Sequence, residues 1–512
     1  MLQIRNLTIT HKKDLRTILN DFTLSLNQGD KAVIIGEEGN GKSTLIKLIY
    51  NPDMVEDYIE YTGEIIRNNK KLGYLSQEMD SIDNMKSIYE FCLAIPEFLD
   101  LLPNELAQIG KTLNLTHELF FSEQKVNELS GGEKVKLQIA RILMSHPDIL
   151  LLDEPSNDLD IETLEWLESF INKCDLPILF ISHDEYLIEN TANMVIHIEQ
   201  IKRKTEAKYT IAKIPYKVYI KERLSSIIKQ EQNARNEQRE FKKQIDKFMQ
   251  IQQKVEHQQN SISRQDPHGG QLLKKKMKSI KSMGKRLDRE KENMTHVPDV
   301  EDSIFVKFNE NIYIPNGKTV IDFHIDELKI ADRVLSSNIN LKIMGSERIC
   351  ITGRNGVGKS TLLKIIANEL LNRTDIKASY MPQNYEDLLD LDKTPIDFLA
   401  TTGDKEEVTR VRTYLGSMKY TADEMSHSIN ELSGGQKAKI LFLKMSLDGT
   451  NVLILDEPTR NFSPLSNPVI REVLSSYGGA IISISHDRKY IEEVCTKVYR
   501  LTENGLFIVE SK

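Results

Sequence analysis

Two glycine-rich loops of one pattern recur in this 512-residue sequence, at 36–44 and at 353–361. Both read Gly-x-x-x-x-Gly-Lys-Ser-Thr, and each lies between a short apolar strand pattern and a helical pattern. The glycines let consecutive backbone N–H groups point into one concavity, and the N-terminus of the following helix adds positive potential there. Such a loop cradles a nucleotide triphosphate, with its lysine on the β- and γ-phosphates and its serine on Mg²⁺. The residues expected to bind the nucleotide are Gly36, Gly39, Asn40, Gly41, Lys42, Ser43 and Thr44 in the first loop and Gly353, Asn355, Gly356, Gly358, Lys359, Ser360 and Thr361 in the second.

Downstream of each loop, a four-residue apolar run ends in an acidic pair, Asp153-Glu154 and Asp456-Glu457. A short apolar run of this kind predicts a buried parallel strand, and ligands bind at the carboxyl ends of such strands. We expect the two aspartates to join the loop serines as Mg²⁺ ligands. We expect the two glutamates to orient the attacking water or to accept its proton. Solvated turn acids are the alternative, which the repetition beside two phosphate loops disfavours.

A histidine and a glutamine also recur at the ends of strand patterns. His183 and His486 each stand in an Ile-Ser-His-Asp segment, and we expect them to sense the γ-phosphate. Adjacent Ser, His and Asp residues cannot form the geometry of a hydrolase triad. Gln77 and Gln383 each follow a strand pattern closely, so their side chains are candidates for bonding Mg²⁺ or the attacking water. Ordinary core or loop residues are the alternative for all four, and only the repetition favours catalysis.

The repetition extends over most of the chain. A Leu-Ser-Gly-Gly segment occurs at 129–132 and again at 432–435, and from there onward the motifs of the two halves keep one spacing. An internal repeat of this kind indicates two copies of one domain of about 200 residues each.

The segment between the copies has a different composition. Residues 217–292 contain 20 Lys or Arg and 10 Asp or Glu, whereas the whole chain has a net charge of −8. Apolar residues recur at steps of three and four over 220–255 and again over 273–294, with turn-forming residues between them. This pattern predicts an antiparallel helical hairpin whose tip lies near 259–271. Because no acidic residue lies between 273 and 287, the second helix presents a basic surface suited to nucleic-acid phosphates. An inert spacer or a solvated charged face is the alternative.

Composition excludes several classes of protein. No apolar run approaches the length of a membrane helix, and the first residues lack a signal-peptide core. The four cysteines are scattered without a Cys-x-x-Cys pair, which disfavours a disulfide framework or a zinc site and favours a reducing compartment. We therefore expect a cytoplasmic protein without a membrane partner. The net charge argues against nucleic-acid binding by the whole surface.

The complete set of motifs resembles the ATP-binding cassette (ABC) ATPases, and two cassettes joined by a charged helical hairpin resemble the ABC-F subfamily. The resemblance implies an α/β fold with two tandem P-loop ABC ATPase domains joined by an antiparallel α-helical coiled-coil hairpin, with domains at 1–212, 213–297 and 298–512. It implies ATP hydrolysis, with ATP and Mg²⁺ as cofactors, and two ATP molecules sandwiched between the cassettes. In that sandwich Ser130, Gly131 and Gly132 would face the nucleotide on Lys359, and Ser433, Gly434 and Gly435 would face the nucleotide on Lys42.

The same resemblance implies a partner, the 70S ribosome. The linker would reach 23S rRNA near the peptidyl-transferase centre and the P-site tRNA, and the protein would act as a monomer with an intramolecular pair of cassettes. Only 53 residues separate Gln77 from Ser130, against 50 between Gln383 and Ser433, so the long arm of some members is short or missing. This feature and a divergent segment after the second acidic pair look more like the antibiotic-resistance (ribosome-protection) members of Gram-positive bacteria.

The function expected from the resemblance is ATP-dependent displacement of drugs that act at the peptidyl-transferase centre. A drug-independent translation factor acting on stalled or initiating ribosomes is the first alternative. The ATPase subunit of an exporter is the second, and the basic hairpin has no role there. Two departures predict unequal ATP sites: Glu38 stands where the second loop has Asn355, and residues 460–466 diverge from their counterparts in the first copy. An aromatic residue that would stack on adenine is evident in neither copy.

Overall fold

The computed structural model describes residues 1–201, 206–261, 267–292, 308, 312–331 and 333–509. They fall into two compact units, one formed by Met1–Tyr216 with Glu301–Lys512 and the other by Lys217–Val300. The first unit contains both copies of the repeat, and the second contains the linker. The predicted domain limit after residue 212 coincides with the end of a strand, whereas the predicted limit after residue 297 lies outside the described residues.

The first copy is an α/β domain built on a six-stranded, mainly parallel sheet, with a separate three-stranded antiparallel sheet beside it. Its elements in chain order are β1 (Leu2–His11), β2 (Thr17–Leu26), β3 (Lys31–Ile35), α1 (Lys42–Tyr50), β4 (Ile59–Ile66), β5 (Leu72–Leu75), α2 (Ser81–Met85), α3 (Ile88–Leu93), α4 (Pro103–Leu113), α5 (Gly131–Met144), β6 (Ile149–Asp153), α6 (Ile161–Lys173), β7 (Ile178–Ile181), α7 (Glu185–Thr191), β8 (Met194–Ile201) and β9 (Glu206–Ala212).

The order of strands in the main sheet brings the sequence motifs to one edge. The sheet runs β5-β6-β7-β3-β8-β9, and only β9 is antiparallel to its neighbour. Every residue of β3, β6 and β7 is buried, as expected for parallel strands covered on both faces. Asp153 pairs with Ile181, and Ile181 pairs with Ile34, so the carboxyl ends of the three strands lie side by side. The glycine loop, Glu154 and His183 follow directly after these ends.

The linker consists of two helices, α8 (Tyr216–Ser261) and α9 (Pro267–Glu292). Val255 and Ile280 are buried together, with Phe248 and Met277 packed against them. A Cβ added at Gly284 would lie 3.3 Å from the Phe248 ring. Later residues of α8 thus contact earlier residues of α9, which is the antiparallel arrangement that the spacing predicts. The centre of the predicted tip, residues 262–266, lies outside the described residues.

The second copy repeats the domain. Its main sheet runs β13-β14-β15-β12-β16-β17, and a two-stranded antiparallel sheet lies beside it in the described part of this copy. The elements are β10 (Thr319–Ile330), β11 (Arg333–Met344), β12 (Arg348–Thr352), α10 (Lys359–Leu371), β13 (Ala378–Met381), α11 (Pro395–Leu399), α12 (Lys405–Ser417), α13 (Ala422–Ser426), α14 (Gly434–Asp448), β14 (Val452–Asp456), α15 (Asn467–Ser475), β15 (Ala480–Ile484), α16 (Arg488–Val494), β16 (Lys497–Thr502) and β17 (Gly505–Val509).

The sequence prediction of two tandem α/β cassettes is therefore confirmed. Within the described residues, no helix is both long enough and apolar enough to cross a membrane.

Ion pairs hold the two copies together where α7 of the first meets α15 and α16 of the second. Arg471 donates to Glu185 at 2.5 Å, and both side chains are buried, with 3% and 5% of their surface exposed. Lys489 adds a bond to Glu185 at 3.0 Å and one to Glu189 at 2.5 Å. Arg488 pairs with Glu168 of α6. The acids lie on the first copy and the cations on the second, so this edge of the interface is electrostatically complementary.

Candidate functional site

The two phosphate loops have backbone shapes that only glycine tolerates at key positions. Gly36 and Gly353 have φ values of 148° and 146°, and a Cβ there would lie 2.3 Å and 2.5 Å from a carbonyl oxygen of a neighbouring strand. Lys42 Nζ donates to the Gly36 carbonyl at 2.8 Å, and Lys359 Nζ donates to the Gly353 carbonyl at 2.8 Å. Each ammonium group is therefore held over the concavity of its own loop, the position from which it can bind phosphate.

The serine after each lysine contacts the first acidic residue of the matching pair. Ser43 Oγ donates to Asp153 Oδ1 at 2.9 Å, and Ser360 bonds to Asp456. A hydroxyl and a carboxylate are hard oxygen ligands, and Mg²⁺ binds through one or two such groups together with substrate phosphates. Consistent with this sparse type of site, no group of three His, Cys, Asp or Glu side chains that could hold a metal occurs among the described residues. The side chains therefore fit a Mg²⁺ ion that is shared with a nucleotide.

Burial makes a cation favourable beside both aspartates. Desolvation raises the pKa of Asp153 to about 6, although the Ser43 hydrogen bond opposes the rise. Desolvation likewise raises the pKa of Asp456, again against the hydrogen bond from its serine. A divalent cation at either carboxylate would offset the cost of burying its charge.

Glu154 lies at the centre of the first copy's polar cluster. Gln77 Nε2 and Asn157 Nδ2 donate to its Oε2 at 3.2 Å and 2.5 Å, and His183 Nε2 lies 3.3 Å from its Oε1. Burial alone would raise the pKa of Glu154, but His183 and the other donors outweigh burial and lower the pKa to about 2. The structure therefore brings Gln77, Glu154 and His183 together, with the glutamate ionised at neutral pH.

Glu457 lies in a different environment in the second copy. Its Oε2 accepts a hydrogen bond from the backbone N–H of His486 at 3.3 Å, while His486 Nε2 is 3.8 Å from its Oε1. Burial, followed by repulsion from Asp456, raises the pKa of Glu457 to about 8. Burial, followed by the charge of Lys359, lowers the pKa of His486 to about 4. Glu457 and His486 are therefore together, but with a protonation pattern unlike that of the first copy.

Both glutamates share an uncommon backbone conformation. Glu154 and Glu457 each have a φ of 52°, in the left-handed region that a residue with a side chain seldom adopts. Each backbone N–H donates to the last residue of the adjacent strand, at 3.1 Å and 3.0 Å. Strained residues of this kind persist where the surrounding structure fixes them, and they are frequent at functional sites.

The Leu-Ser-Gly-Gly segment of each copy faces the phosphate loop of the other. Ser130 and Ser433 cap α5 and α14 by accepting from the backbone N–H three residues later. A Cβ at Gly131 would lie 3.6 Å from the Asn355 amide nitrogen, and the Gly435 N–H donates to Glu38 Oε2 at 2.6 Å. We call the site with Lys42 and Ser433 the first site, and the site with Lys359 and Ser130 the second site.

Sequence reasoning missed Asp158, which links three residues of the second copy. Its carbonyl accepts from Asn355 Nδ2 at 2.5 Å, its Oδ1 from Gln383 Nε2 at 3.1 Å and its Oδ2 from Arg460 at 2.7 Å. Gln383 thus contacts the opposite copy, whereas Gln77 contacts the glutamate of its own copy. The divergence of the segment around Arg460 was visible in the sequence, but its partner across the interface was not.

The contact between His183 and the second copy was also missed. His183 Nδ1 donates to the Phe462 carbonyl oxygen at 2.7 Å. Phe462 belongs to the divergent segment after the second acidic pair, so that segment reaches the proposed γ-phosphate sensor of the first site. A hydrogen bond to a backbone carbonyl carries no side-chain signal, and sequence alone could not have indicated it.

The two sites differ greatly in open volume. The second site holds a cavity of about 740 Å³ whose lining includes Lys359, Ser360, Asp456, Glu457 and His486. The first site has a cavity of only about 40 Å³ between Glu37 and Glu38 on one side and Ser433 and Gly435 on the other. The expected inequality of the sites is therefore visible in their geometry.

Comparison with known proteins agrees with this geometry. The profile of the ABC transporter family matches residues 19–157 and 336–460. The ribosome protection protein VmlR of Bacillus subtilis is 29% identical to this chain, over 99% of the chain and 88% of VmlR. ABC transporter F family member 5 of Arabidopsis thaliana is 26% identical, over 96% of the chain and 73% of that protein.

A solved structure shares the fold of the whole chain. The archaeal ribosome recycling factor aABCE1, solved in complex with the archaeal ribosomal stalk protein aP1, has a TM-score of 0.58 and 16% identity. The match covers 98% of this chain and 89% of that one, and at this identity it concerns the fold alone. The family profile spans more than half of the chain, and the relatives with two cassettes match it almost end to end. The chain therefore belongs to the ABC transporter family and is, within it, an ABC-F ATPase that hydrolyses ATP.

Proposed function

We propose that this ATPase binds the ribosome and, in an ATP-dependent cycle, displaces drugs from the peptidyl-transferase centre, so that it confers antibiotic resistance by ribosome protection. The observation that carries the proposal is the basic surface of α9 between the two cassettes. Seven cations on this helix are exposed, with no acidic residue among them: Lys274, Lys275, Lys276, Lys278, Lys281, Lys285 and Arg286.

A surface of one charge sign suits an RNA backbone. Cations that neutralise phosphates release condensed counterions, which gives strong binding that depends on salt but carries little sequence information. The apolar side of α9 is occupied by α8 through Ile280 and its neighbours, so the lysines point away from the seam between the helices. We therefore assign α9 to contacts with 23S rRNA near the peptidyl-transferase centre and the P-site tRNA.

The name of one relative supports the same direction. VmlR is called a ribosome protection protein and matches nearly the whole of this chain. We propose accordingly that the protein acts in the cytoplasm, as a monomer whose two cassettes form an intramolecular pair around two ATP molecules.

The ATP chemistry that we propose uses the residues described above. Lys42 and Lys359 bind the β- and γ-phosphates, and the loop serines with Asp153 and Asp456 hold Mg²⁺. When bound, Mg²⁺ neutralises charge on the phosphates. In the first site the ionised Glu154 can accept a proton from the attacking water, which requires a carboxylate within hydrogen-bonding reach.

The remaining side chains orient rather than react. Gln77, which bonds Glu154, is placed to hold the same water. His183 and His486 are placed to contact the γ-phosphate. At pH 7 Glu457 keeps its proton because its pKa is about 8, so the second site begins its cycle with a different charge from the first.

Drug susceptibility tests the proposal most sharply against the alternatives. A strain that lacks the gene is complemented with the wild type, or with a variant in which the lysines at 274–278 are changed to Gln. The matched control changes Lys242 and Lys243 of α8 to Gln; these lysines are also exposed but have acidic neighbours. We expect the wild type and the control to raise resistance to drugs of the peptidyl-transferase centre, and the α9 variant not to.

The outcomes separate the candidate functions. Ribosome binding without any change in drug susceptibility would favour the drug-independent translation factor. Absence of ribosome binding with a non-hydrolysable ATP analogue would contradict both ribosomal functions and leave the exporter subunit.

A further inference from the structure

We propose that Glu38 gates the first site by taking the place of the γ-phosphate at the start of α14. Its carboxylate accepts a hydrogen bond from the Gly435 N–H at 2.6 Å. Gly435 belongs to the Leu-Ser-Gly-Gly segment that faces the phosphate loop of Lys42. This inference rests on the proposed ATP role of that site, and it adds that ATP can occupy the site only by expelling Glu38.

The contact is close on every side. A Cβ added at Gly434 or at Gly435 would lie 3.4 Å from Glu38 Oε2, so the carboxylate oxygen lies directly against bare backbone. A Cβ at Gly435 would also lie 2.7 Å from the Asn461 carbonyl oxygen. The N–H groups in the first turn of a helix have no partner within the helix, and they bind anions readily. A carboxylate that satisfies such a donor competes directly with a phosphate oxygen for it.

The second site shows the same loop position without a charge. Asn355 is the counterpart of Glu38, and its Nδ2 donates to the Asp158 carbonyl at 2.5 Å. Its Oδ1 accepts from Lys359 Nζ at 3.4 Å. The side chain is thus bonded to its own lysine and to Asp158. The cavity in this site is about 740 Å³, against about 40 Å³ in the first.

The gate should distinguish ATP from ADP. The terminal phosphate of ATP must reach the α14 N–H groups to complete the sandwich, and it must therefore displace a carboxylate of like charge. ADP lacks that phosphate and can bind the Lys42 loop while Glu38 stays on Gly435. A hydrogen bond to a charged group of this kind corresponds to about tenfold to about a hundredfold in affinity. Glu38 should therefore weaken ATP binding at the first site by about that factor and leave ADP binding nearly unchanged.

The test measures the affinity of each site separately. In full-length protein carrying Lys359→Ala, which disables the second site, Glu38→Asn gives the first loop the residue of the second. We expect titration with a non-hydrolysable ATP analogue and Mg²⁺ to show binding tightened at least about tenfold, with ADP affinity changed less than about twofold. Glu38→Gln keeps the size and an acceptor oxygen but removes the charge, and it should give a smaller gain for the ATP analogue alone.

The reciprocal exchange is the matched control. In protein carrying Lys42→Ala, Asn355→Glu should weaken the ATP analogue at the second site more than it weakens ADP. If Glu38→Asn and Glu38→Gln change the two nucleotides by the same factor, Glu38 acts as an ordinary charge in the loop and the gate is wrong, while the ATP site itself stands. If the single lysine variants bind neither nucleotide, the proposed ATP sites fail instead. Should Glu38→Asn not fold, the Gln variant and the reciprocal exchange decide the question.

Discussion

The buried ion pair between the two cassettes should stabilise their association more than any exposed pair across the same interface. Arg471 and Glu185 lie 2.5 Å apart with 3% and 5% of their side chains exposed. The test is a double-mutant cycle of Arg471→Met, Glu185→Gln and both together. The cycle isolates the energy of the pair from the other effects of each substitution.

The magnitude follows from the partners that each survivor keeps. Removing one member of a buried pair costs about 3–5 kcal/mol when the other charge is left without compensation. Here Glu185 would retain Lys489 at 3.0 Å, and Arg471 would retain Glu493 at 2.7 Å. We therefore expect each single variant to lose about 2–3 kcal/mol, near the value of a hydrogen bond between charged groups. The coupling energy of the cycle should be about 1–3 kcal/mol.

Denaturant unfolding gives the measurement, and an exposed pair gives the control. The only tryptophan of the chain, Trp166, lies on α6 of the first copy and reports unfolding there. Arg500 and Glu162 also pair across the two copies, but their side chains are 51% and 53% exposed. An exposed pair of this kind should show a coupling energy below about 1 kcal/mol. A coupling for Arg471 and Glu185 no larger than that of the control would refute the reasoning from burial.

Four further results are expected. Changing both Glu154 and Glu457 to Gln should keep ATP binding but slow phosphate release by at least about a hundredfold; a wild-type rate would reject their assignment. The two single Glu→Gln variants should differ in turnover, and identical rates across a range of ATP concentrations would count against unequal sites. Neutralising the lysines at 274–278 should weaken ribosome binding and reduce its salt dependence by about 0.7–0.9 per lost contact, with basal ATPase retained; an unchanged salt slope would contradict phosphate contacts. Shortening residues 260–270 should leave ribosome binding intact and abolish drug protection, so full resistance in that deletion would reduce the linker to a spacer.

The sequence was sufficient wherever function depends on short, contiguous segments. The glycine loops, the Asp-Glu pairs and the Ser-His-Asp segments could be located because each combines a strand pattern with a turn of defined chemistry. Their convergence could also be predicted, since parallel strands bring their carboxyl ends to one edge of a sheet. The pairing of Asp153 with Ile181 and of Ile181 with Ile34 confirms that convergence.

Contacts between the two copies could not be predicted in the same way. Glu38 was conspicuous as a carboxylate in a phosphate loop, but its bond to Gly435, 397 residues later, depends on how the cassettes dock. The Phe462 carbonyl that accepts from His183 has no signature at all. The opposite pKa shifts of Glu154 and Glu457 arise from donors that differ while the motifs remain identical.

The linker shows both sides of this limit. Spacing predicted two helices with an apolar seam, and the packing of Phe248 and Val255 against α9 agrees with it. Leu224 fits the same spacing, yet 46% of its surface is exposed, because an apolar residue at a seam position is buried only where the partner helix reaches it.

Ribosome co-sedimentation of the variant with both Glu154→Gln and Glu457→Gln, measured with ATP and with ADP, tests ATP-dependent ribosome binding most directly. The variant should bind ATP without hydrolysing it and should therefore keep the cassettes closed around both nucleotides. We expect it to pellet with ribosomes in ATP, to be released in ADP, and to lose the ATP-dependent pelleting as salt rises. Equal pelleting with the two nucleotides, or none with either, would contradict an ATP-driven cycle on the ribosome.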